Sequence, residues 1–392
     1  MEALVSRSEK LAEAAWRDTY TMKVVSIFGA RPQFVKAALV SRQLRCCEVQ
    51  EITINTGQHY DDFMSDIFLR ELQMTVPHYN LGVGSATHAV QTARILEGSE
   101  EVLTREQPDA VIVYGDTNST LAGSLAAAKL RLPVVHVEAG LRSFNRRMPE
   151  ELNRIVTDHL SELLLAPSEA AAAQLSYEGI PESRVAVVGD IMLDAVLAHL
   201  DLASRSTVLQ RLSQSAQGYV LCTVHRAENT DDPKRLSNII QALSKVALHL
   251  PVVLPAHPRL RNALQSSGLG TLHDERLLLI DPVGYLDMLA LESNAAVVAT
   301  DSGGVQKEAF FVGVPCVTLR NETEWRELVD SGWNILAPPD GSVDVVRMIL
   351  GAVGMKGIPG VQPYGDGSAA KKICSAVTAL CASAQPSLER VM

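Results

Sequence analysis

Between Val134 and Arg154 the chain reads VVHVEAGLRSFNRRMPEELNR. A strand-like apolar run turns at once into three carboxylates, Glu138, Glu150 and Glu151, among four arginines, Arg142, Arg146, Arg147 and Arg154. Charge of this density beside an apolar core is costly unless it serves a ligand, so the stretch marks the rim of a cleft. Glu138 directly follows the apolar strand, where burial raises a carboxyl toward the range useful for general acid or base work. Glu150 and Arg154 are four apart on a helical pattern and share a face, which also suits a plain ion pair along the helix.

Four other segments put polar groups at strand ends. In FGARPQFVK, Gly29 closes a strand, and Arg31 and Lys36 accompany a helix N-terminus, an arrangement that seats a phosphate. Solvated cations on an ordinary turn fit that segment equally well. In YGDTNST, Asp116 is either a functional carboxylate or the cap of the next helix. CTVHRAEN places His225 where Gly29 and Arg31 stand in the earlier segment. In VVATDSGGVQKEAF, Ser302, Gly303 and Gly304 offer bare backbone N–H groups to a pyrophosphate. Glu308, about a turn later, is placed to accept both hydroxyls of a ribose, the plainer alternative being a helix cap and a surface glutamate. His257 with Arg259, and Gln58 with His59, also end strands and read as cleft lining. Dinucleotide and Walker glycine patterns are lacking and no metal spacing is convincing, so no NAD, ATP, metal or other cofactor is expected.

These groups need a scaffold, and the chain supplies one twice. From Lys23 onward, short uniformly apolar runs alternate with longer helix-period segments, which indicates a parallel sheet covered on both faces. The alternation pauses in a helical, linker-like stretch after Asp194 and restarts at YVLCTVH. The expected fold is α/β, two doubly wound Rossmann-like domains in tandem, with ligand bound beyond the carboxyl ends of the strands. The expected boundaries are an N-terminal extension over 1–21, a first domain over 22–193, a second over 194–367 and a closing helical segment over 368–392. With 392 residues, two cores rather than one are natural.

A net charge of −10 argues against nucleic acid or an anionic membrane as the main partner. The six cysteines form no C-x-x-C pair, which points to free, mostly buried thiols and a cytoplasmic protein. No apolar run reaches membrane-spanning length, and the first 21 residues read as a polar helical arm rather than a signal peptide.

Taken in order, GARPQFVK, TGQHYD, YGDTNST, HVEAGLRS, MPEELNR, VHRAEN and TDSGGVQKEA resemble the non-hydrolysing UDP-N-acetylglucosamine 2-epimerase family, from Met22 to the final helix. That resemblance implies two domains of glycosyltransferase-B type with UDP held between them, and a homodimer. It implies that Arg31, His225, Ser302, Gly303 and Gly304 contact the diphosphate, Glu308 the ribose, and the backbone at Pro282 and Val283 the uracil. Lys36, Asp116, Glu138 and Glu150 match the family's cluster around the sugar, with Arg154 supporting it. The implied reaction removes the C2 proton as UDP leaves C1, then re-adds UDP to the glycal with C2 inverted. Well-known bacterial members read GTRPE, a TTERPE-like segment and QHREM, where this chain has GARPQF, ETEWREL and QHYDDF. The variants GARPQF, RSFNRRMPEE and HRAENTDD look closer to a branch that includes UDP-2,3-diacetamido-glucuronate 2-epimerases, so that substrate is the alternative. A sugar transferase of the same fold would need an acceptor groove, often apolar or basic, and the sequence shows no amphipathic membrane-facing stretch for one; a silent UDP-sugar sensor would not need Asp116, Glu138 and Glu150.

Overall fold

The computed structural model describes residues 22–58, 74–268 and 275–384. His59 and the extension over 1–21 lie outside the described residues. The chain divides into two compact units, one from the N-terminus to Asp194 and again from Tyr364, the other Ala195–Pro363.

The first unit follows the predicted alternation. Its elements are β1 (Lys23–Phe28), α1 (Arg31–Cys46), β2 (Gln50–Asn55), β3 (Tyr79–Asn80), α2 (His88–Glu106), β4 (Ala110–Tyr114) and α3 (Asn118–Lys129). There follow β5 (Val134–Val137), α4 (Pro149–Leu160), β6 (Leu163–Ala166), α5 (Glu169–Tyr177) and β7 (Val185–Val187), and α6 (Ile191–Ala203) begins in this unit and continues into the residues of the second. The sheet order is β3-β2-β1-β4-β5-β6-β7 with parallel pairings throughout, so the order reverses between β1 and β4. Val111, Ile112 and Val113 of β4 are wholly buried, as a strand covered on both faces must be. The two-residue β3 has no signal in the sequence, since two residues carry no periodicity.

The second unit repeats the plan. A strand β8 (Val220–Thr223) leads to α7 (Pro233–Ala247), β9 (Val252–Pro255), α8 (Pro258–Ser266), β10 (Leu277–Ile280) and α9 (Tyr285–Ser293). Then come β11 (Val297–Thr300), α10 (Gly303–Phe311), β12 (Cys316–Thr318), β13 (Asn334–Leu336) and α11 (Val345–Ala352). The order β10-β9-β8-β11-β12-β13 is again parallel and reverses between β8 and β11. Helix α7 illustrates how sequence dictates an element here. Asp232 caps it by accepting from the N–H groups of Lys234 and Arg235, and Pro233 pre-sets its first turn. Leu236, Ile239, Ile240, Leu243 and Val246 then line one stripe that is buried on the sheet. Each such side chain contributes roughly 1.5–3 kcal/mol of burial.

From Tyr364 the chain is back in the first unit, where α12 (Ala369–Ala384) packs on α1. Its buried stripe is Ala369, Ile373, Cys374, Val377 and Cys381. Asp194, in α6, caps this helix from a distance: its carboxylate accepts from the N–H groups of Ala369 at 3.1 Å and Ala370 at 2.8 Å. The expectation of buried thiols holds for Cys222, Cys316, Cys374 and Cys381, but Cys46 and Cys47 are exposed at the end of α1. The sequence window around them is helical but only half apolar, so its outer face stays in solvent. Among the described residues no helix is long and apolar enough to cross a membrane.

Replacing Asp194 by Ala is expected to lower the unfolding free energy by about 1–2 kcal/mol, the cost of a lost helix cap. Urea denaturation measures that loss, and hydrogen exchange should rise selectively over 369–384.

Candidate functional site

The ends of β1, β4 and β5 carry the first group of polar residues. Gly29 and Ala30 leave β1, and the buried Gln33 side chain accepts from both of their N–H groups, at 2.8 and 3.0 Å. Its amide nitrogen donates to the Tyr114 carbonyl at 2.6 Å and to the Thr117 and Thr120 hydroxyls at 3.0 Å. One neutral side chain thus ties the turn after β1 to the turn after β4. An ionised carboxylate could accept here but not donate, which gives the departure from a GTRPE pattern a physical content. Gly29 itself has no room for more, because a Cβ would come within 1.9 Å of the Thr56 hydroxyl.

Lys36 points inward from α1 and its ammonium pairs with Oε2 of Glu138, both side chains only 8% exposed. Glu138 holds this place at φ +74°, a left-handed conformation that L-residues with side chains seldom adopt. Gly115, at φ +62°, lies directly beneath: a Cβ there would be 3.2 Å from the Glu138 carboxylate and 3.5 Å from the Lys36 ammonium. Asp116 follows on the same turn, and its Oδ2 accepts from Arg154 Nη1 at 2.6 Å. The suggestion that Asp116 caps the next helix is corrected here. Thr117 is the N-cap of α3, which leaves the Asp116 carboxylate to Arg154.

Arg154, 2% exposed, also donates to Glu151 Oε2 at 2.7 Å. Glu151 in turn accepts from the N–H groups of Ser143 and Phe144, at 2.9 and 2.8 Å, and so fixes the loop between β5 and α4. Glu150 is half-buried in the first turn of α4. Arg31 opens α1, but its side chain lies outside the described residues.

Beneath these turns runs a second, mostly buried chain of charge. His136 of β5 faces acceptors at both ring nitrogens, Asp158 Oδ1 at 2.6 Å and the Gly115 carbonyl at 2.7 Å. The other Asp158 oxygen accepts from Arg142 at 2.7 Å and from the Gly140 N–H at 3.2 Å. Arg142 finishes the chain with a two-pronged contact to Glu178, at 2.8 and 2.7 Å. Burial alone would raise the Asp158 carboxyl, but the His136 ring and Arg142 outweigh it and hold the group below its ordinary value. Burial likewise acts against Glu151 and Glu178, and N–H donors and arginine partners lower both. Sequence reasoning passed over His136 and Asp158, although a His among valines and an Asp on the buried stripe of α4 were the available signal.

The second group stands where β8 and β11 end. His225 follows β8, and Asp301 follows β11 with its carboxylate fully buried. Ser302 occupies the N-cap of α10, and Gly303 and Gly304 form that helix's first turn rather than a preceding loop. Glu308, 9% exposed, folds back along α10: its Oε2 is 4.0 Å from where a Gly304 Cβ would stand. It is therefore not a solvated surface glutamate. Val283 is half-buried in the turn between β10 and α9. Lys307 lies 3.9 Å over the ring of Trp325, both buried, and the Trp325 Nε1 is 3.3 Å from a Gly303 Cβ position. Trp325 therefore stacks on a cation beside the glycine turn. Behind α10, burial and then the charge of Glu308 push the Glu292 carboxyl well above its ordinary value. Among the described residues no cluster of three or more His, Cys, Asp or Glu could hold a metal ion.

The lowered carboxylates fix a direction for acid sensitivity. A carboxylate whose folded pKa lies below its unfolded one stabilises the fold above the unfolded value and loses that contribution as pH falls through the folded value. Stability should therefore fall as the pH drops below the ordinary values of 3.8–4.5 for Asp158, Glu151 and Glu178. Asp158→Asn, which leaves the buried Arg142 with Glu178 as its remaining counter-charge, should cost about 3 kcal/mol at pH 7. It should also flatten the acid limb of a stability–pH profile measured by urea denaturation.

The UDP-N-acetylglucosamine 2-epimerase family model matches residues 43–378. A Methanococcus maripaludis protein described as a UDP-N-acetylglucosamine 2-epimerase homolog is 52% identical over 319 residues, 80% of this chain and 88% of that one. The UDP-2,3-diacetamido-2,3-dideoxy-D-glucuronate 2-epimerase of Pseudomonas aeruginosa is 47% identical over 359 residues, 90% of this chain and 98% of that one. The crystal structure of Methanocaldococcus jannaschii UDP-GlcNAc 2-epimerase in complex with UDP-GlcNAc and UDP superposes with a TM-score of 0.86 at 40% identity. It covers 91% of this chain and 100% of that one. Sheet order, strand-end residues and these likenesses together lead to one conclusion: the chain belongs to the UDP-N-acetylglucosamine 2-epimerase family.

Proposed function

We propose that the chain is a non-hydrolysing 2-epimerase that interconverts UDP-N-acetylglucosamine and UDP-N-acetylmannosamine. The observation that carries this is the pair of neighbouring turns holding Asp116 against Arg154 and Glu138 against Lys36. Carboxylates in pairs are what a reaction at C2 needs, since one must take the proton from one face and another supply it to the opposite face. The C2–H bond and the C1–O bond to UDP break, a C1–C2 double bond forms, and re-addition of UDP with protonation of the other face inverts C2. Two of Asp116, Glu138 and Glu150 serve as base and acid, with Lys36 and Arg154 orienting them.

No carbonyl acidifies the C2 proton, so departure of UDP must be strongly stabilised. In this proposal Arg31, His225, Ser302, Gly303 and Gly304 take the diphosphate, Glu308 the ribose and the backbone near Val283 the uracil. The first turn of α10 suits an anion because its N–H groups are not yet used by the helix. No cofactor enters the scheme. The same assignment carries the expected domains, 22–193 for the sugar and 194–367 for UDP, with 368–392 attached to the first. A cytoplasmic homodimer that supplies a polysaccharide precursor completes it.

A second substrate, UDP-2,3-diacetamido-2,3-dideoxy-glucuronate, is favoured by the likeness to the Pseudomonas aeruginosa protein, at 47% identity. Arg320 offers little to a uronate, because its buried guanidinium is engaged with Glu324 at 3.0 Å and Glu228 at 3.3 Å.

Proton NMR with UDP-N-acetylglucosamine in D₂O decides the matter. A UDP-N-acetylmannosamine signal with deuterium at C2 is expected. Asp116→Asn and Glu138→Gln should each reduce kcat by about 100-fold or more. Turnover of the diacetamido-uronate alone would shift the assignment to that substrate. UDP binding without turnover of either sugar would leave a binding protein.

A further inference from the structure

The aspartate of the TDSGG run has no role in the function so far, yet it is among the most fully engaged carboxylates of the second unit. Asp301 is completely buried and accepts from the N–H of His225 at 3.0 and 3.1 Å, the N–H of Arg226 at 3.0 Å and the Asn229 amide at 3.1 Å. The register explains this reach: Thr300 of β11 pairs with Thr223 of β8, so Asp301 stands beside the turn that leaves β8. The same carboxylate lies 3.3 Å from Nδ1 of the His225 ring, whose side chain is 39% exposed.

The neighbouring imidazole makes a contrast. His257, with its ring centre 6.2 Å from that of His225, caps α8 by accepting from the Arg259 N–H at Nδ1, 3.2 Å away. An accepting nitrogen carries no proton, so His257 is unprotonated at Nδ1. A nitrogen facing an anionic carboxylate carries one.

We propose that Asp301 is a positioning residue that holds one proton of His225 on Nδ1, so that the ring takes a second proton on Nε2 and donates it to the diphosphate of the bound nucleotide. This rests on the proposed UDP-sugar activity. By anchoring the N–H of Arg226 as well, Asp301 sets the direction of a second cation, whose guanidinium reaches within 3.9 Å of a Gly303 Cβ position. Asp301 touches no reacting atom in this scheme; it acts through His225.

The test is long-range proton–nitrogen NMR of the full chain labelled with ¹⁵N-histidine at pH 7.5, with His225→Gln identifying the His225 signals. Wild-type protein is expected to show His225 protonated at Nδ1 and His257 unprotonated there. A His225 ring with a bare Nδ1 would overturn the proposal, and this measurement needs no variant of Asp301. Asp301→Asn should weaken UDP binding about tenfold and lower kcat further than it raises KM. Combined with His225→Gln it should add less than twofold to that single change. Full additivity would overturn the proposal by showing that Asp301 acts apart from His225. If wild-type protein neither binds UDP nor turns over a UDP-sugar, the proposed function fails, while the protonation pattern still reports on Asp301.

Discussion

A carboxylate removed from water must find hydrogen-bond donors, and near a strand end the donors within reach are the N–H groups of adjoining turns. Each unit shows a buried aspartate in that situation. Asp158 gathers the His136 ring, the Arg142 guanidinium and the Gly140 N–H, and through His136 it also grips the Gly115 carbonyl. Asp301 gathers the backbone of His225 and Arg226 and the Asn229 amide. In both cases the turns tied together are those that carry the polar residues toward solvent. Their geometry follows from an interior need for donors, and the exposed chemistry inherits it.

The first unit adds strain to that constraint. Glu138 adopts a backbone conformation costing of order 1–3 kcal/mol, and its ion pair with Lys36 together with the bare Cα of Gly115 makes the position tenable. A relaxed backbone would turn the carboxylate away from the ammonium. Glu151 does comparable work for the loop after β5, because its two oxygens meet consecutive N–H groups and the guanidinium that reaches Asp116. Lys36, Glu138, Asp116 and Arg154 are therefore held by groups that themselves have little freedom.

Much of this was legible in the chain. The period of the apolar runs gave both parallel sheets, and position at a strand end brought out Lys36, Asp116, Glu138, His225 and the Ser302–Gly304 turn. The supporting residues were harder to see, because nothing local distinguishes them. Gln33 looks like any helix-surface glutamine until the Tyr114 carbonyl, far away in sequence, comes within 2.6 Å. Asp116 and Thr117 are both able to cap a helix, and only the location of Arg154 decides between them. His136 and Asp158 are joined across a strand and a helix, a pairing that periodicity does not encode.

The return of the chain to the first unit has a consequence for the order in which the molecule is made. Residues 195–363 are consecutive, so the second unit has its whole sequence available before α12 is synthesised. The first unit does not: α1 lacks its packing partner α12, and Asp194 lacks the N–H groups of Ala369 and Ala370, until residues 369–384 emerge. A ribosome-bound nascent chain therefore carries a completable second unit behind an unfinished first one, with the α12-facing side of α1 still uncovered. Of the two units, the one that begins earlier is completed later.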